Sequence, residues 1–333
     1  MHAAQPSGGV EFEILTYPLS AAAQSELIQL LRTEWTRTDY DWIGAMGGDY
    51  SGALEIVSVL VRRDDRAVAT ATIHFARDRP EVAILGGVLT HAAHRRQGLA
   101  GQAITRAIAL AADAGCQVCL LGTTTRPHNV YLNYGFEWSG GVVMRRGLRT
   151  GRLEESYFAA GQAAVIRAAN WGDLPGLSLL LAQRLPVAQP DFLRGLVSAR
   201  TANAERCLSN FPILWHETAA SDGLLAMITG PDTRRVFGFG SVTRGPGPTR
   251  RHTAALDFAA HENFEPQLPA LLTHLLDGCR ERGIRQLFAW VAETDEVKLS
   301  CLAQRGFKQT ARLPSAVSLD DVDCDVLLLT ASL

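Results

Sequence analysis

The chain lacks any apolar run that approaches the roughly 18 residues a membrane-spanning helix needs. Its first residues, MHAAQPSGGVEFEIL, also lack the basic stretch followed by an apolar core that marks a signal peptide. These two absences predict a cytoplasmic protein without a membrane partner.

A surplus of one charge sign is also missing. The 32 Lys and Arg residues are balanced by 34 Asp and Glu residues, which gives a formal net charge of −2. Proteins that bind nucleic acid usually carry a basic field, so we expect no nucleic-acid partner.

Clustered metal ligands are scarce. Of the six cysteines, only Cys116 and Cys119 have ligand-like spacing, and no second CxxC or HxxxH motif completes a tetrahedral site. Both lie in CQVCLLGT, which predicts a buried strand. We therefore expect no metal, and reduced thiols suit a cytoplasmic location.

What the chain does have is enough sequence for two globular domains. Its 333 residues are 47% hydrophobic and 20% charged, an ordinary globular composition. Turn signals and periodicity divide it near residues 148–160, which predicts one domain over 1–150 and a second over 160–333. The second opens with AAVIRAANWGDLPGL, where Asn170 is the predicted helix cap.

The order of predicted elements is similar in the two halves. Each predicted half has a strand, a helix, several strands, a long helix, another strand, a short helix and a final strand. The second half includes a predicted strand at PILWHET (212–218) and a terminal strand at CDVLLLTAS (324–332). We expect an α/β (α+β) fold in which each half is a central, mostly antiparallel twisted sheet flanked by helices. The matching endings YLNYGF and LAQRGF indicate an internal duplication.

The segment HRRQGLA (94–100) lies between the predicted strand AILGGVLT and a long predicted helix. A helix start presents unpaired backbone N–H groups, and the small residues Gly98 and Ala100 would let an anion approach them. Arg95 and Arg96 would add charge-assisted hydrogen bonds. The Walker and dinucleotide patterns are absent. The segment alone leaves two interpretations open: a phosphate site or a basic surface turn.

The wider pattern resembles a known family. Arg95-x-x-Gly98-x-Ala100 follows GGVLT and precedes NVYLNYGF, in which Asn129, Tyr131, Gly135 and Phe136 match a later motif. This combination resembles the GNAT acyltransferase superfamily. The second half, from VIRAANWGDLPGL to LAQRGF, also resembles a GNAT domain. The whole chain therefore resembles a tandem GNAT protein.

The resemblance implies acetyl-CoA, or another acyl-CoA, as a co-substrate. Backbone at Val88, Leu89 and Thr90 would pair with the pantetheine arm, and the Val88 amide could stabilise a developing oxyanion. Asn129 would contact the pantetheine. The pyrophosphate would be held by Arg95, Arg96, Gln97, Gly98, Leu99 and Ala100.

The resemblance also implies catalytic roles. Tyr131 would be the general acid for the leaving thiolate, because its ordinary pKa of about 10 is near that of an alkyl thiol; the alternative is a packed aromatic residue. The family often has a carboxylate base four residues before Val88, where this chain has Ile84. His74 and Glu81 are substitutes, although His74 also suits a core histidine, and a water-relayed base is a further alternative.

In the second half, NFEPQL (263–268) aligns with RRQGLA. Pro266 replaces Gly98 and has no N–H for a phosphate, and Glu265 adds negative charge. The predicted second loop is therefore degenerate. The same alignment places His252 at the usual base position, four residues before Leu256; the alternative is a surface strand start.

The segment 32–52 would line the acceptor site in a GNAT protein. Trp35, Tyr40 and Trp42, with Asp39, Asp41 and Asp49, would suit a small cationic amine, or they pack as a surface loop. Our first hypothesis is an N-acyltransferase for a small-molecule amine, in specialised metabolism, acting as a monomer or homodimer. The alternatives are transfer by the second domain, with structural coenzyme in the first, and a non-catalytic acyl-CoA sensor or scaffold.

Overall fold

A computed structural model describes residues 9–35, 42–123, 130–140, 143–183, 185, 187, 192, 210–245, 247–319 and 322–333. Contacts between Cα atoms divide the chain into two compact units. The first consists of residues 1–121, 127–137 and 146–150, and the second of 122–126, 138–145 and 151–333. Within the described ranges, no helix combines the length and apolar character needed to cross a bilayer.

The first sheet has seven strands in the order β1-β2-β3-β4-β5-β7-β6. The recorded pairings among β1 to β4 are antiparallel, and β4 pairs with β5 in parallel. Its strands are β1 (Val10–Thr16), β2 (Leu54–Arg63), β3 (Arg66–Ala76), β4 (Val82–Thr90), β5 (Val118–Gly122), β6 (Glu137–Gly140) and β7 (Val143–Gly147). The helices between them are α1 (Ala21–Arg32), α2 (Trp42–Gly47) and α3 (Leu99–Asp113).

Helices α1 and α3 lie on opposite faces of this sheet. Arg62 binds Glu13 of β1 and Glu26 of α1, so α1 covers the face on which Glu13 projects. Arg106 of α3 lies over the ring of Phe12, 3.8 Å from its centroid. Because neighbouring residues of a strand point to opposite faces, Phe12 marks the α3 face and Glu13 the α1 face.

The second sheet also has seven strands, in the order β13-β14-β12-β11-β10-β9-β8. Its strands are β8 (Val165–Ala168), β9 (Leu224–Thr229), β10 (Val236–Arg244), β11 (Thr253–Ala260), β12 (Gln286–Ala292), β13 (Lys308–Leu319) and β14 (Val322–Ser332). Its helices are α4 (Leu153–Tyr157), α5 (Leu174–Leu181), α6 (Asn210–Ala220), α7 (Leu268–Glu281) and α8 (Glu296–Ala303). Two seven-stranded, mostly antiparallel sheets flanked by helices confirm the expected fold class.

The segment 212–218 is not a strand. It lies inside α6, where Phe211, Leu214 and Thr218 are almost fully buried. Burial at a spacing of three and four residues is helical, and the short apolar run hides that period in the sequence. The prediction of a strand at PILWHET was therefore wrong.

Strand β13 has no counterpart among the predicted elements. It contains Pro314 and mostly exposed side chains, so it lacks the alternation that predicts a half-buried strand. It is an edge strand, where a residue without a backbone N–H can be tolerated. Its register against β14 shifts between Leu313 and Val317.

The connector between the halves is largely part of the second unit. The polar segment predicted there includes α4, in which Leu153 and Tyr157 are buried. The Tyr157 hydroxyl accepts a 2.7 Å hydrogen bond from the Val236 amide at the start of β10.

Candidate functional site

Strand β4 contains a β-bulge near its end. Thr72 and Thr70 of β3 pair with Gly86 and Leu89 of β4, so one residue of β3 lies opposite two of β4. One of these two, Gly87, has φ = +57°, a value that glycine adopts without strain. A bulge interrupts the ladder and re-aims the backbone, here at Gly87 and Val88.

The edge of β4 that faces β5 is paired only in its first part. Its recorded parallel pairing with β5 covers Val82 to Ile84 against Val118 to Leu120. Among the described residues, no ladder to β5 continues beyond Ile84. Backbone groups of β4 from residue 85 onward therefore lie along an opening between the two strands.

The turn after β4 leads to the start of α3. Arg96 (φ = +60°) and Gly98 (φ = +74°) both adopt left-handed conformations, and Gly98 is the N-cap of α3. The first backbone bond of the helix joins the Gln102 N–H to the Gly98 carbonyl at 3.2 Å. The amides of residues 99–101 precede that bond and have no acceptor in the described part of the chain. A side chain at Gly98 would meet no described atom within 4 Å, so an anion has access to these amides.

The cations of this turn are not equivalent. Arg95 forms an ion pair with Glu34 beyond the end of α1, and its Nε donates to the Thr90 carbonyl at 3.3 Å. Arg96 is exposed. The attraction for an anion therefore comes mainly from Arg96 and the helix amides, because Glu34 offsets the charge of Arg95.

Arg63 is a residue of this site that sequence reasoning missed. Its Nη1 donates a 2.5 Å hydrogen bond to the Gln97 side chain. The two residues lie 34 positions apart, and the antiparallel pairing of β2 with β3 and of β3 with β4 brings them together. No local motif could have indicated this contact.

Tyr131 lies immediately before a 3₁₀ helix, Leu132–Tyr134. Its carbonyl accepts hydrogen bonds from the amides of Tyr134 (3.0 Å) and Phe136 (3.2 Å), and its ring packs edge-on against Phe136. Burial raises the pKa of the Tyr131 phenol, so it retains its proton at neutral pH. Asn129, the predicted pantetheine contact, lies outside the described residues.

The two candidate bases of the first unit, His74 and Glu81, differ in where they lie relative to Val88. His74 pairs across the strands with Ile84, so it faces the site where the family often has a carboxylate. Burial lowers the pKa of His74 to about 4, which makes it neutral at pH 7 and a weak base. Glu81 precedes β4 and lies seven residues from Val88, roughly 20 Å along an extended strand. That distance does not support Glu81 as the base.

His252 occupies the position of Glu81, not that of Ile84. Its carbonyl accepts from the amides of Arg285 and Gln286, as the Glu81 carbonyl accepts from those of Gln117 and Val118. The ladder between β11 and β12 places Ala255 opposite Phe288, at the level where Ile84 pairs with Leu120. The alignment of His252 with a base position is corrected accordingly, because the bulge and a longer turn shift the count in the first half.

The turn of the second unit is closed at the helix start. A 3₁₀ helix, Glu262–Gln267, runs directly into α7 and contains Pro266. The Leu268 amide donates to the Glu265 carbonyl, and the Asn263 side chain donates to the Phe158 carbonyl at 2.8 Å. Burial and the nearby Glu262 raise the pKa of Glu265. These contacts and carboxylates disfavour an anion here.

The opening between β11 and β12 also differs from that of the first unit. No bulge interrupts the recorded ladder between β10 and β11. Asp257 of β11 forms a buried ion pair with Lys298 of α8, and its other oxygen accepts a 2.8 Å hydrogen bond from the Phe192 amide. The Phe192 ring stacks on Trp290 of β12, 5.7 Å between centroids. Side chains of the unit itself therefore pack beside this opening.

The predicted acceptor residues are only partly described. Trp35 follows α1, is 37% exposed and donates its amide to the Leu31 carbonyl. Trp42 begins α2, but its side chain lies outside the described part of the chain. Tyr40, Asp39 and Asp41 also lie outside the described residues, and Asp49 is exposed.

Comparison with known proteins gives one family match. Residues 23–136 match the model of the acetyltransferase (GNAT) family. No curated protein sequence matches the chain.

Several solved structures are similar to part of this chain. One is a ribosomal-protein-alanine N-acetyltransferase from Brucella melitensis, with 19% identity, a TM-score of 0.41 and coverage of 51% of this chain and 99% of that one. Another is yncA of Salmonella typhimurium, described as a putative acetyltransferase with its cofactor acetyl-CoA, with 15% identity, a TM-score of 0.41 and coverage of 51% and 94%. A phosphinothricin acetyltransferase from Sinorhizobium meliloti in complex with acetyl-CoA has 12% identity, a TM-score of 0.42 and coverage of 51% and 88%.

The family match begins in α1 and ends at Phe136. It therefore includes the bulge of β4, the turn at residues 95–98, the start of α3 and Tyr131. These features therefore lie in the part of the chain, residues 23–136, that is similar to GNAT acetyltransferases.

Proposed function

We propose that the chain is an N-acyltransferase that uses acetyl-CoA, or another acyl-CoA, to acylate a small-molecule amine. The coenzyme lies along the open edge of β4 and ends at the start of α3. The bulge at Gly87 and Val88 carries this proposal, because it interrupts the ladder within the strand that leads into the exposed helix amides. The proposal has two GNAT domains, 1–150 and 160–333, of which only the first binds coenzyme.

The residues of the first unit fit a diphosphate. The amides of Leu99, Ala100 and Gly101 and the guanidinium of Arg96 supply donors, and Gly98 leaves space for close approach. Backbone from Val88 to Thr90 is in position to pair with a pantetheine arm. Arg63 holds Gln97 and so orients the turn.

The acyl donor supplies an activated thioester, and this chain positions the groups around it. The acceptor nitrogen forms a bond to the acyl carbon as the carbon–sulfur bond breaks. The Val88 amide stabilises negative charge on the acyl oxygen. Tyr131 donates its proton to the departing sulfur and regains one from solvent, while the surplus proton of the acceptor nitrogen passes to water.

The acceptor enters as a free amine. Ile84 cannot accept a proton, and His74, with a pKa of about 4, is a weak base. The amine must therefore lose its proton to water before attack. The rate of acyl transfer is expected to rise with pH and to level off once the pH exceeds the pKa of the acceptor amine.

Native mass spectrometry of the full chain tests this proposal. We expect one acetyl-CoA per chain, and loss of that ligand in the Gly98→Trp variant, whose side chain fills the approach to the amides. Two ligands per chain would contradict a single site, and retained ligand in the variant would contradict the proposed turn.

The free thiols Cys116 and Cys119 are consistent with the proposed cytoplasmic setting.

A second candidate is a non-catalytic acyl-CoA sensor or scaffold. It is favoured by Ile84, which stands where a base would be expected. The two functions are separated by incubating the protein with acetyl-CoA and a panel of amines while free thiol is measured. Tight binding of acetyl-CoA without turnover of any amine would support the sensor function and contradict the transferase function.

A further inference from the structure

The α1 face of the first sheet carries buried hydroxyl groups beside the bulge of β4. Ser58 and Thr70 are fully buried, Thr72 is 2% exposed and Tyr17 is 3% exposed. The α3 face of the same strands is apolar in this region, with Val57, Val59, Ala71, Ile73, Ala83 and Leu85. Burying a hydroxyl costs free energy unless it forms a hydrogen bond, so a row of buried hydroxyls in this sheet needs a physical explanation.

Three of these hydroxyls form a chain of hydrogen bonds. The Tyr17 Oη lies 3.0 Å from the Ser58 Oγ, which lies 2.7 Å from the Thr72 Oγ1. Three hydroxyl protons serve two hydrogen bonds, so one proton remains for a further partner. Burial raises the pKa of Tyr17 to about 12 and keeps its phenol protonated. A phenol is a stronger donor than an alkyl alcohol, which favours the order in which Tyr17 donates to Ser58 and Ser58 to Thr72. In that order the remaining proton is on Thr72.

This chain ends beside an open space in the sheet. Thr72 pairs with Gly86, the residue just before the bulge. A β carbon at Gly86 would meet no atom of the described residues within 4 Å, although the preceding residues of the strand, 82–85, are buried. Gly86 belongs to the α1 face, as do its neighbours Ile84 and His74 by register.

We infer that the acceptor occupies the space over Gly86 and that the Thr72 hydroxyl donates a hydrogen bond to an oxygen of the acceptor. The favoured acceptors are amines that carry a neutral hydroxyl or carbonyl oxygen three bonds from the nitrogen. Thr72, His74 and Ile84 are the neighbours of Gly86 on this face by register, and none of these three side chains is a carboxylate that could pair with a charged amine. This inference rests on the proposed function and specifies its substrate class.

Matched amine pairs provide the test, with the full chain and saturating acetyl-CoA. The first pair is 2-aminoethanol and propylamine, and the second is glycinamide and isobutylamine; each pair has the same number of heavy atoms. We expect the oxygen-bearing member to have the higher kcat/KM. The Thr72→Val variant, which keeps the shape and removes the hydroxyl, is expected to reduce that preference by about tenfold, the effect of one hydrogen bond.

The paired amines also differ in basicity, so their kcat/KM ratio in the wild-type protein does not decide the question. The decisive quantity is the change in that ratio in Thr72→Val. Thr105→Val on α3 is the matched control and is expected to keep the preference, and Tyr17→Phe is expected to weaken it. An unchanged ratio in Thr72→Val would overturn the inference and assign the hydroxyl row to a water site or to the core. Absence of turnover with every amine would contradict the proposed function instead.

Filling the open space gives an independent test. Gly86→Leu is expected to retain acetyl-CoA binding by calorimetry and to lose transfer, because its side chain occupies the acceptor position. Gly86→Ala is the smaller variant, expected to fold normally and to raise KM for the amine more than it lowers kcat. Full transfer by Gly86→Leu, or a Gly86→Ala variant with unchanged amine KM, would place the acceptor elsewhere.

Discussion

The phenol oxygen of Tyr134 lies directly over Gly101 in the first turn of α3, where a methyl group on residue 101 would come within 1.7 Å of it. This turn is the one whose amides point toward the proposed diphosphate. A tyrosine ring in this position at residue 134 therefore requires a glycine at residue 101.

The Gly101→Ala variant tests this contact. Helix propensity alone would stabilise the helix by about 1 kcal/mol. The overlap with Tyr134 predicts the opposite: a lower free energy of unfolding and weaker acetyl-CoA binding, because the ring must move from the first turn of α3. Denaturant unfolding and calorimetry measure the two effects. Adding Tyr134→Leu should restore stability; a fully stable Gly101→Ala single variant would show that the ring moves without cost.

Arg96 and Arg95 are expected to contribute unequally to coenzyme binding. Arg96→Ala should weaken acetyl-CoA binding by about 10- to 100-fold, the effect of losing a hydrogen bond to a charged group. Arg95→Ala should have a smaller effect, because Glu34 already neutralises that guanidinium. Titration at two salt concentrations measures both. Equal losses in the two variants would argue against this assignment.

Burial of His74 predicts a specific pH dependence of stability. Its pKa is about 4 in the folded chain and 6.5 ordinarily, so the unfolded state binds the proton more readily. Its contribution is therefore fully present above about pH 6.5 and is lost as the pH falls toward 4. His74→Gln should reduce the slope of Tm against pH between these values. The same slope in the variant would assign the dependence to other groups.

The buried pair of Asp257 and Lys298 should stabilise the second unit only as a pair. Lys298→Met leaves an unpaired buried carboxylate and is expected to cost about 3–5 kcal/mol of the free energy of unfolding. Adding Asp257→Asn should recover much of that loss. Denaturant unfolding measures both. Neither variant should alter acetyl-CoA binding at 25 °C, so a clear loss of affinity would contradict the single coenzyme site in the first unit.

Local sequence is enough to place the main helices and most strands. The apolar period of α3 and α7 and the turn signals around them indicate both elements within a few residues. The turn at 95–98 is also readable, because two arginines and a glycine at a helix start are adjacent in the chain. Pro266 and Glu265 likewise indicate a degenerate second turn, since a missing N–H and an added carboxylate are both properties of single residues.

Other features are invisible at this level. The short apolar segment of α6 fits a strand or a helix equally, and only its packing selects the helix. The edge strand β13 lacks a buried face and therefore an alternating pattern. His252 was misplaced because an alignment without gaps accounts neither for the extra residue of the bulge nor for the longer turn after β4.

The sequence by itself determined most of the order of helices and strands, the family resemblance and the composition of the turn at residues 95–98, because each depends on residues close together in the chain. Only the tertiary structure decided which groups share a site. Strand pairing joined Tyr17, Ser58 and Thr72 into one hydrogen-bonded row beside Gly86, and the pairing of β2, β3 and β4 brought Arg63 to Gln97. Such contacts depend on register between distant strands, and register is fixed by the packing of a whole sheet face rather than by any local motif.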